Sequence, residues 1–389
     1  MNTSKATIPV LILLLPLMFL SCSMDTGNPA EDRAARAESA KGDIVIGAAS
    51  AWESLPFMMW EGIDMAVQEV NSSGGIRGRK IKIIKKDDQA SVNEGILVAQ
   101  SFADTPDMVA VIGHYNSYIS IPTSIVYSYY GLVMISPWST NPKFTSQGFK
   151  RVFRNIPNDV HFGFSMADFC KKNKLERVMI YYVEDDYGVG LANSFEIAAE
   201  ESDIMVPDRM GYNSVSGQRN FTDNLKYWKE NFKFDAIFIA DVLPRAAICI
   251  REARSLGIDV PFLGGDGLDS KDLIRIIGKE HADNVYMPCV FNPSADNPQT
   301  REYVTNFKKK YGRTPDTHSA LGYDAVKLLA HAMDKSGSTV PTEVARTLHG
   351  LKKYKGVTGH YTFDKNGDVV DKQLFIKALI KGEFKIISD

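Results

Sequence analysis

From residue 44 onward, short apolar runs alternate with apolar positions at helical spacing. Ile44-Val45-Ile46-Gly47-Ala48 reads as a buried strand. Trp60, Ile63, Val67 and Val70 then recur on one helix face until Ser72-Ser73-Gly74-Gly75 stops the pattern. The segment 80–86 alternates around Ile81 and Ile83, and Val92, Ile96, Ala99 and Ala103 line a second helix. Strands over 109–113 and 132–136 flank a helix that begins near Pro122. Repetition of this kind predicts right-handed βαβ units and a parallel sheet covered on both faces.

The rhythm restarts after Asn155-Ile156-Pro157-Asn158-Asp159. Helices are predicted over 160–172, 190–199, 221–230, 245–256 and 271–277, with strands over 177–183, 205–212, 235–240, 261–264 and 284–290. Long helical patterns cover 299–311 and 320–335. The stretch 358–385 alternates like β structure, with a hairpin turn expected at Lys365-Asn366-Gly367-Asp368. The N-terminus breaks the scheme. Its apolar run, 8–20, is interrupted by Pro9 and Pro16 and is too short to span about 30 Å of hydrocarbon, so 1–21 is expected to be an export signal. Cys22, directly after Phe19-Leu20-Ser21, sits where a bacterial lipobox carries its lipid. The segment 22–41 has no sustained apolar face and reads as a tether.

The 389 residues suffice for two domains, and 45 basic against 47 acidic side chains give no electrostatic reason to expect nucleic acid. Four cysteines exclude a disulfide scaffold; Cys170, Cys249 and Cys289 sit among apolar neighbours and read as buried thiols, with one disulfide left open. Asn71-Ser72-Ser73-Gly74-Gly75-Ile76-Arg77-Gly78 follows a helix and lacks a Lys-Ser/Thr, so it is a turn. Gly264-Gly265-Asp266-Gly267 follows a strand but spells no dinucleotide fingerprint. His114 is the one histidine at a cleft position, and it reads more readily as a bond to neighbouring backbone. No metal, cofactor or catalytic constellation emerges, and an enzyme is not expected.

Several strings in order resemble the branched-chain amino-acid-binding proteins, the type I periplasmic receptors of ABC transporters. They are Gly74-Gly75-Ile76-Arg77-Gly78-Arg79, Asp87-Asp88, Val111-Ile112-Gly113-His114, Ile135-Ser136-Pro137, Thr140-Asn141-Pro142, Tyr187-Gly188-Val189-Gly190 and Gly264-Gly265-Asp266-Gly267. The resemblance implies an α/β fold of two Rossmann-like lobes with parallel sheets, joined by a three-strand hinge. Lobe 1 would comprise 42–156 plus 291–356, and lobe 2 157–290 plus 357–389. Crossovers would fall near 154–158, 288–293 and 354–362.

Carried over residue by residue, the resemblance implies a ligand site. Ser117 and Thr140 would bind a carboxylate, Trp138 would offer its carbonyl, Ser139 beside it would also contact the ligand, Asp266 would take an ammonium, and Tyr187 would stand beside the ligand. Hydroxyl donors suit an anion and a carboxylate suits an ammonium. Departures are Asp266 for the usual Glu, Val242 for a cleft Tyr, and Ala90 and Asn116 where some members close a disulfide. Asp241 is a possible second acceptor, and Trp52 with Trp138 would rebuild the side-chain pocket. The expectation is therefore a monomeric periplasmic lipoprotein, anchored to an inner or outer bacterial membrane, that hands a small amino acid to an ABC permease and its ATPases. Binding of an aromatic or aliphatic carboxylate, or service as a sensory subunit, are the alternatives.

Overall fold

The computed structural model describes residues 27–388, apart from Pro56 and 214–220. The export-signal reading of 1–21 and the lipid site at Cys22 lie outside the described residues. Five parallel strands build the first sheet: β1 (Ile44–Ser50), β2 (Ile81–Asp87), β3 (Met108–Ile112), β4 (Val133–Ser136) and β5 (Val152–Arg154), in the order β2-β1-β3-β4-β5. Every residue of β3 and β4 is buried, as a sheet with helices on both faces requires.

The chain then crosses to a second sheet of β6 (Val178–Val183), β7 (Arg209–Tyr212), β8 (Ala236–Ala240), β9 (Phe262–Gly264) and β10 (Val285–Cys289). It returns for the helices Pro298–Tyr311, Thr317–Ser336 and Pro341–His349 and the small antiparallel pair β11 (Tyr354–Gly356) and β12 (Gly359–Tyr361). Finally β13 (Phe375–Ile380) adds antiparallel to β10 and β14 (Glu383–Ser388) antiparallel to β13, giving the order β14-β13-β10-β9-β8-β6-β7. The result is a two-lobed α/β fold with mostly parallel sheets.

Helix Thr317–Ser336 lies against Met59–Ser72 so closely that a Cβ on Gly62 would sit 1.9 Å from the Ser319 carbonyl oxygen. Only glycine permits that approach. Asp316 caps the same helix through Ser319 N–H (2.7 Å), and Gly337 ends it in the left-handed conformation at φ 67°.

The structure revises two readings. Part of the expected tether, Pro29–Ser39, is a helix docked on lobe 1. Its Arg33 is buried and donates to the carbonyls of Ala103, Thr105 (3.0 Å), Met108 (2.6 Å) and Tyr130 (2.7 Å). These include carbonyls left open at the end of helix Val92–Ala103, so a residue that looks solvated is a cap supplied from a distance. The third crossover also moves. Asp324 of lobe 1 accepts from Val357 N–H (2.8 Å) and Thr358 N–H (3.0 Å), and Asp368 pairs with Arg154 (2.5 Å), so 357–370 stays with lobe 1 and the chain crosses at 371–374. The hairpin turn expected at 365–368 is present, closed by the antiparallel Phe363–Val369 bridge and by Asp364 N–H on the Asp368 carbonyl (2.9 Å) and Val370 N–H on the Thr362 carbonyl (2.9 Å), and a second, longer hairpin turns at Lys381-Gly382. Cys170, Cys249 and Cys289 are free and buried.

Candidate functional site

The β3 and β4 ends present two loops of lobe 1 at the carboxyl edge of the sheet, where open α/β folds hold ligands. His114 braces the first. Its Nδ1 lies 2.6 Å from Asp88 and its Nε2 2.9 Å from the Tyr127 hydroxyl, while its carbonyl accepts from Ser120 (3.1 Å) and Ser136 (2.9 Å). This network holds Tyr115, Asn116 and Ser117 in place, and His114 itself is enclosed by it. In the second loop, Ser136 Oγ accepts from Trp138 N–H (3.3 Å) and Ser139 N–H (2.9 Å). The fully buried Arg154 at the end of β5 donates to the carbonyls of Ser139 (3.0 Å) and Asn141 (2.8 Å). Five fixed donors on one guanidinium let it shape several carbonyls at once.

Lobe 2 contributes a carboxylate-rich face. Asp185 caps helix Asp186–Glu201 by accepting from Gly188 N–H (2.9 Å), which sets Tyr187 in the first turn. The Tyr187 hydroxyl donates to Asp266 (3.0 Å) and accepts from Gly267 N–H (3.2 Å). A Cβ at Gly265 would come within 2.7 Å of that hydroxyl, so the glycines around Asp266 admit the tyrosine. Burial raises the Asp266 carboxyl to about 7, against the opposing hydrogen bond from Tyr187. Burial likewise lifts Asp185 to about 6.

These faces meet. Tyr115, Asn116, Ser117 and Trp138 stand opposite Asp185, Tyr187, Val242, Asp266 and Gly267 around a void of about 20 Å³. That is room for a water-sized group, so anything larger enters only when the lobes part. A wider groove of about 1070 Å³ passes Asp269, Thr317 and Lys377. Its buried charge is already satisfied, since Asp269 accepts from both Lys377 (2.5 Å) and Thr317 (2.5 Å).

Among the residues expected from sequence, Ser117, Trp138, Tyr187 and Asp266 line the narrow cleft. Thr140 is fully buried on the lobe-1 loop and its hydroxyl has no hydrogen bond. Three expectations are corrected. The Ser139 hydroxyl is engaged by Ser120 and the carbonyls of His114 (3.2 Å) and Tyr115 (3.1 Å), and its own carbonyl by Arg154. Asp241 is buried but bonded to Arg245 (2.7 Å) and the Tyr212 hydroxyl, which leaves it no free capacity toward the cleft. Trp52 donates to the Lys86 carbonyl (2.8 Å) and packs edge-on to Trp60 and Trp138, with Lys85 over its ring, so it backs the wall instead of lining it.

Sequence reasoning missed Tyr115, Asp185 and Asp159, and saw Asn116 only as an absent disulfide position. Asp159 is fully buried with neither oxygen in a hydrogen bond of good geometry. Burial pushes its carboxyl well above the usual range, although the Thr140 hydroxyl lies close enough to ease its ionisation. Its N–H donates to the Thr140 carbonyl (2.8 Å). The strand-end rule applied to all of 113–117 would have found Tyr115 and Asn116; nothing local marks Asp159. Among the described residues, no group of three His, Cys, Asp or Glu could hold a metal ion, and no helix is long and apolar enough to cross a membrane.

Residues 47–382 match the family described as periplasmic binding protein. The Leu/Ile/Val-binding protein homolog 1 of Brucella suis biovar 1 is 32% identical over 312 residues, 79% of this chain and 81% of its own length. An ABC transporter substrate-binding protein from Desulfitobacterium hafniense, solved in complex with Leu, superposes with a TM-score of 0.80 at 38% identity, covering 89% of this chain and 100% of that one. A leucine binding protein from Thermotoga maritima gives 0.82 at 30% identity over 89% of this chain and 98% of its own.

Proposed function

The chain belongs to the periplasmic binding protein family, and from that premise we propose that it captures a small amino acid between its lobes and delivers it to an ABC permease. The single observation that carries this reading is the facing of opposite chemistries across one narrow cleft. Ser117 lines it on one lobe, with Thr140 buried on the adjoining loop, and the Tyr187–Asp266 pair lines it on the other. In this reading the two hydroxyls donate to the ligand carboxylate, Asp266 takes the ammonium, and Tyr187 aims Asp266. Asp159, beside Thr140, adds acceptor capacity for the ammonium, and Trp138 and Tyr115 wall the side chain.

Binding then proceeds by closure. A zwitterion touching both faces stabilises the closed arrangement over the open one, and the closed form is what a permease would meet. The relatives named above are binding proteins, and an extracytoplasmic location follows the family. We further assign Cys22 as the lipid-bearing first residue of the mature chain. An unmodified N-terminus in mass spectrometry of the exported protein would remove the anchor.

One observation favours a second reading. With its carboxyl at about 7, Asp266 is substantially protonated at neutral pH and can donate to a simple carboxylate ligand. Calorimetry with the amino acids and their deaminated analogues separates the two. The amino-acid reading expects each amino acid to bind more tightly than its analogue, and a preference for the analogues overturns it.

A further inference from the structure

If a zwitterion is held as just proposed, its carboxylate and ammonium use Ser117, Thr140 and Asp266. Beside Tyr187 and Gly267, the lining then leaves Tyr115, Asn116, Trp138, Asp185 and Val242 for its side chain. Trp138 and Val242 are apolar walls, Tyr115 adds a ring with a hydroxyl, and Asn116 and Asp185 bring acceptor oxygens. Asn116 occupies the N-cap position of helix Ser117–Tyr129, yet its side chain makes no capping bond. Its Oδ1 is buried with no hydrogen-bond partner at all. Asp185 stands across the cleft and engages one oxygen as a cap, at Gly188 N–H.

A buried carbonyl oxygen without a donor is unfavourable, and an aliphatic side chain closing over it would seal that state in. A side chain carrying an O–H or N–H relieves it. We propose that Asn116 is a specificity-determining residue that selects amino acids with a hydrogen-bond donor near the β or γ position over their aliphatic isosteres. This rests on the amino-acid reading above and extends it to the substrate class. Asn116 and Asp185 both line the cleft, and two acceptors on one lining argue for a donor. A site built to bond a polar group discriminates against the analogue lacking it far more strongly than a hydrophobic pocket discriminates by size.

The test uses two nearly isosteric pairs, threonine with valine and asparagine with leucine, titrated calorimetrically into the parent protein and into Asn116→Leu and Asn116→Ala. In the parent the polar member of at least one pair should bind about tenfold or more tightly than its aliphatic partner. Both variants should bring that ratio to one or invert it, with the valine or leucine affinity held or improved. Unliganded melting checks that each variant is folded, and Asn116→Ala adds no bulk if the leucine proves disruptive. Aliphatic members binding as tightly as the polar ones in the parent, or ratios unchanged in the variants, would overturn the role of Asn116 while leaving amino-acid binding intact. Failure of the folded parent to bind any of the four overturns both.

Discussion

The two faces of the cleft are built on opposite plans. On lobe 1 the polar groups that line the cleft are neutral, and the charges lie behind them: Arg154 under the 137–142 loop and Asp88, bonded to His114, under the 113–117 loop. On lobe 2 the charges are at the surface of the cleft, with Asp266 and Asp185 lining it and no cation among its lining residues. Lobe 1 is thus preorganised, with its hydroxyls held by backbone that buried ions have already shaped. Lobe 2 carries a carboxylate made unfavourable by burial, which a cation relieves. A ligand with both an anionic and a cationic end is the one partner that satisfies both.

The largest effect should come from the foundation of lobe 1. Arg154→Met leaves several buried carbonyls without a donor and Asp368 without its cation, with only the Thr145 and Asn158 side chains still donating to it, and breaking a buried ion pair of this kind costs about 3–5 kcal/mol. Chemical denaturation of the unliganded protein reads it directly. A loss under about 1 kcal/mol would mean that the loop holds its own shape.

Asp266→Asn tests the other face, and its two effects should have opposite signs. Amino-acid affinity should fall about thirtyfold, by roughly 2 kcal/mol, as the ammonium loses its charged partner. Unliganded stability at pH 8 should hold or rise, because a buried charge is removed. The pH dependence carries the same signature. The Asp266 carboxyl is raised from 3.8 to about 7, so the native state holds more protons than the unfolded chain between those values, and this group's contribution to stability declines as pH rises through that window. Ammonium binding needs the ionised form, so affinity should drop about tenfold from pH 8 to pH 6 and stay flat in the variant. A deaminated ligand should show the reverse trend.

Thr140→Val keeps shape and removes a hydroxyl that makes no hydrogen bond of good geometry, with the Asp159 carboxyl beside it. Affinity should fall about tenfold while the unliganded melting temperature stays put. Equal loss of both would assign Thr140 to the scaffold. The smallest effect is expected from Asp241→Asn, less than about twofold in affinity, because its oxygens are bonded to Arg245 and Tyr212. A large loss there would restore it to the site and blur the division between the lobes.

Much of this was legible in one dimension. The apolar period changes from strand to helix through residues 44–136 and again through 177–290, and nearly every predicted element exists within a few residues of its expected ends. Most of the motif strings fall at or just after strand ends, and three of the residues they carry, Tyr187, Asp266 and Gly267, line the cleft. Elements whose support comes from elsewhere in the chain were not legible. Arg33 reads as solvated because its carbonyl partners lie 70 to 97 positions away. The 357–370 segment reads as part of lobe 2 until Asp324 and Arg154 claim it.

The amino-acid sequence alone determined the alternation of strands and helices, the two-part organisation and the loops that would carry the ligand chemistry. Periodicity and turn residues act over a few positions, so a linear reading contains them. Only the tertiary structure decided which polar groups in those loops are free. Ser139 and Thr140 are neighbours of like chemistry, and Asp241 and Asp266 both follow strands of lobe 2. Ser139 and Asp241 are bound up by Ser120, Arg245 and Tyr212, whereas Thr140, Asn116 and Asp159 keep atoms without partners. Hydrogen-bonding capacity left over after folding depends on what distant segments deliver to the same point, and no local pattern encodes that.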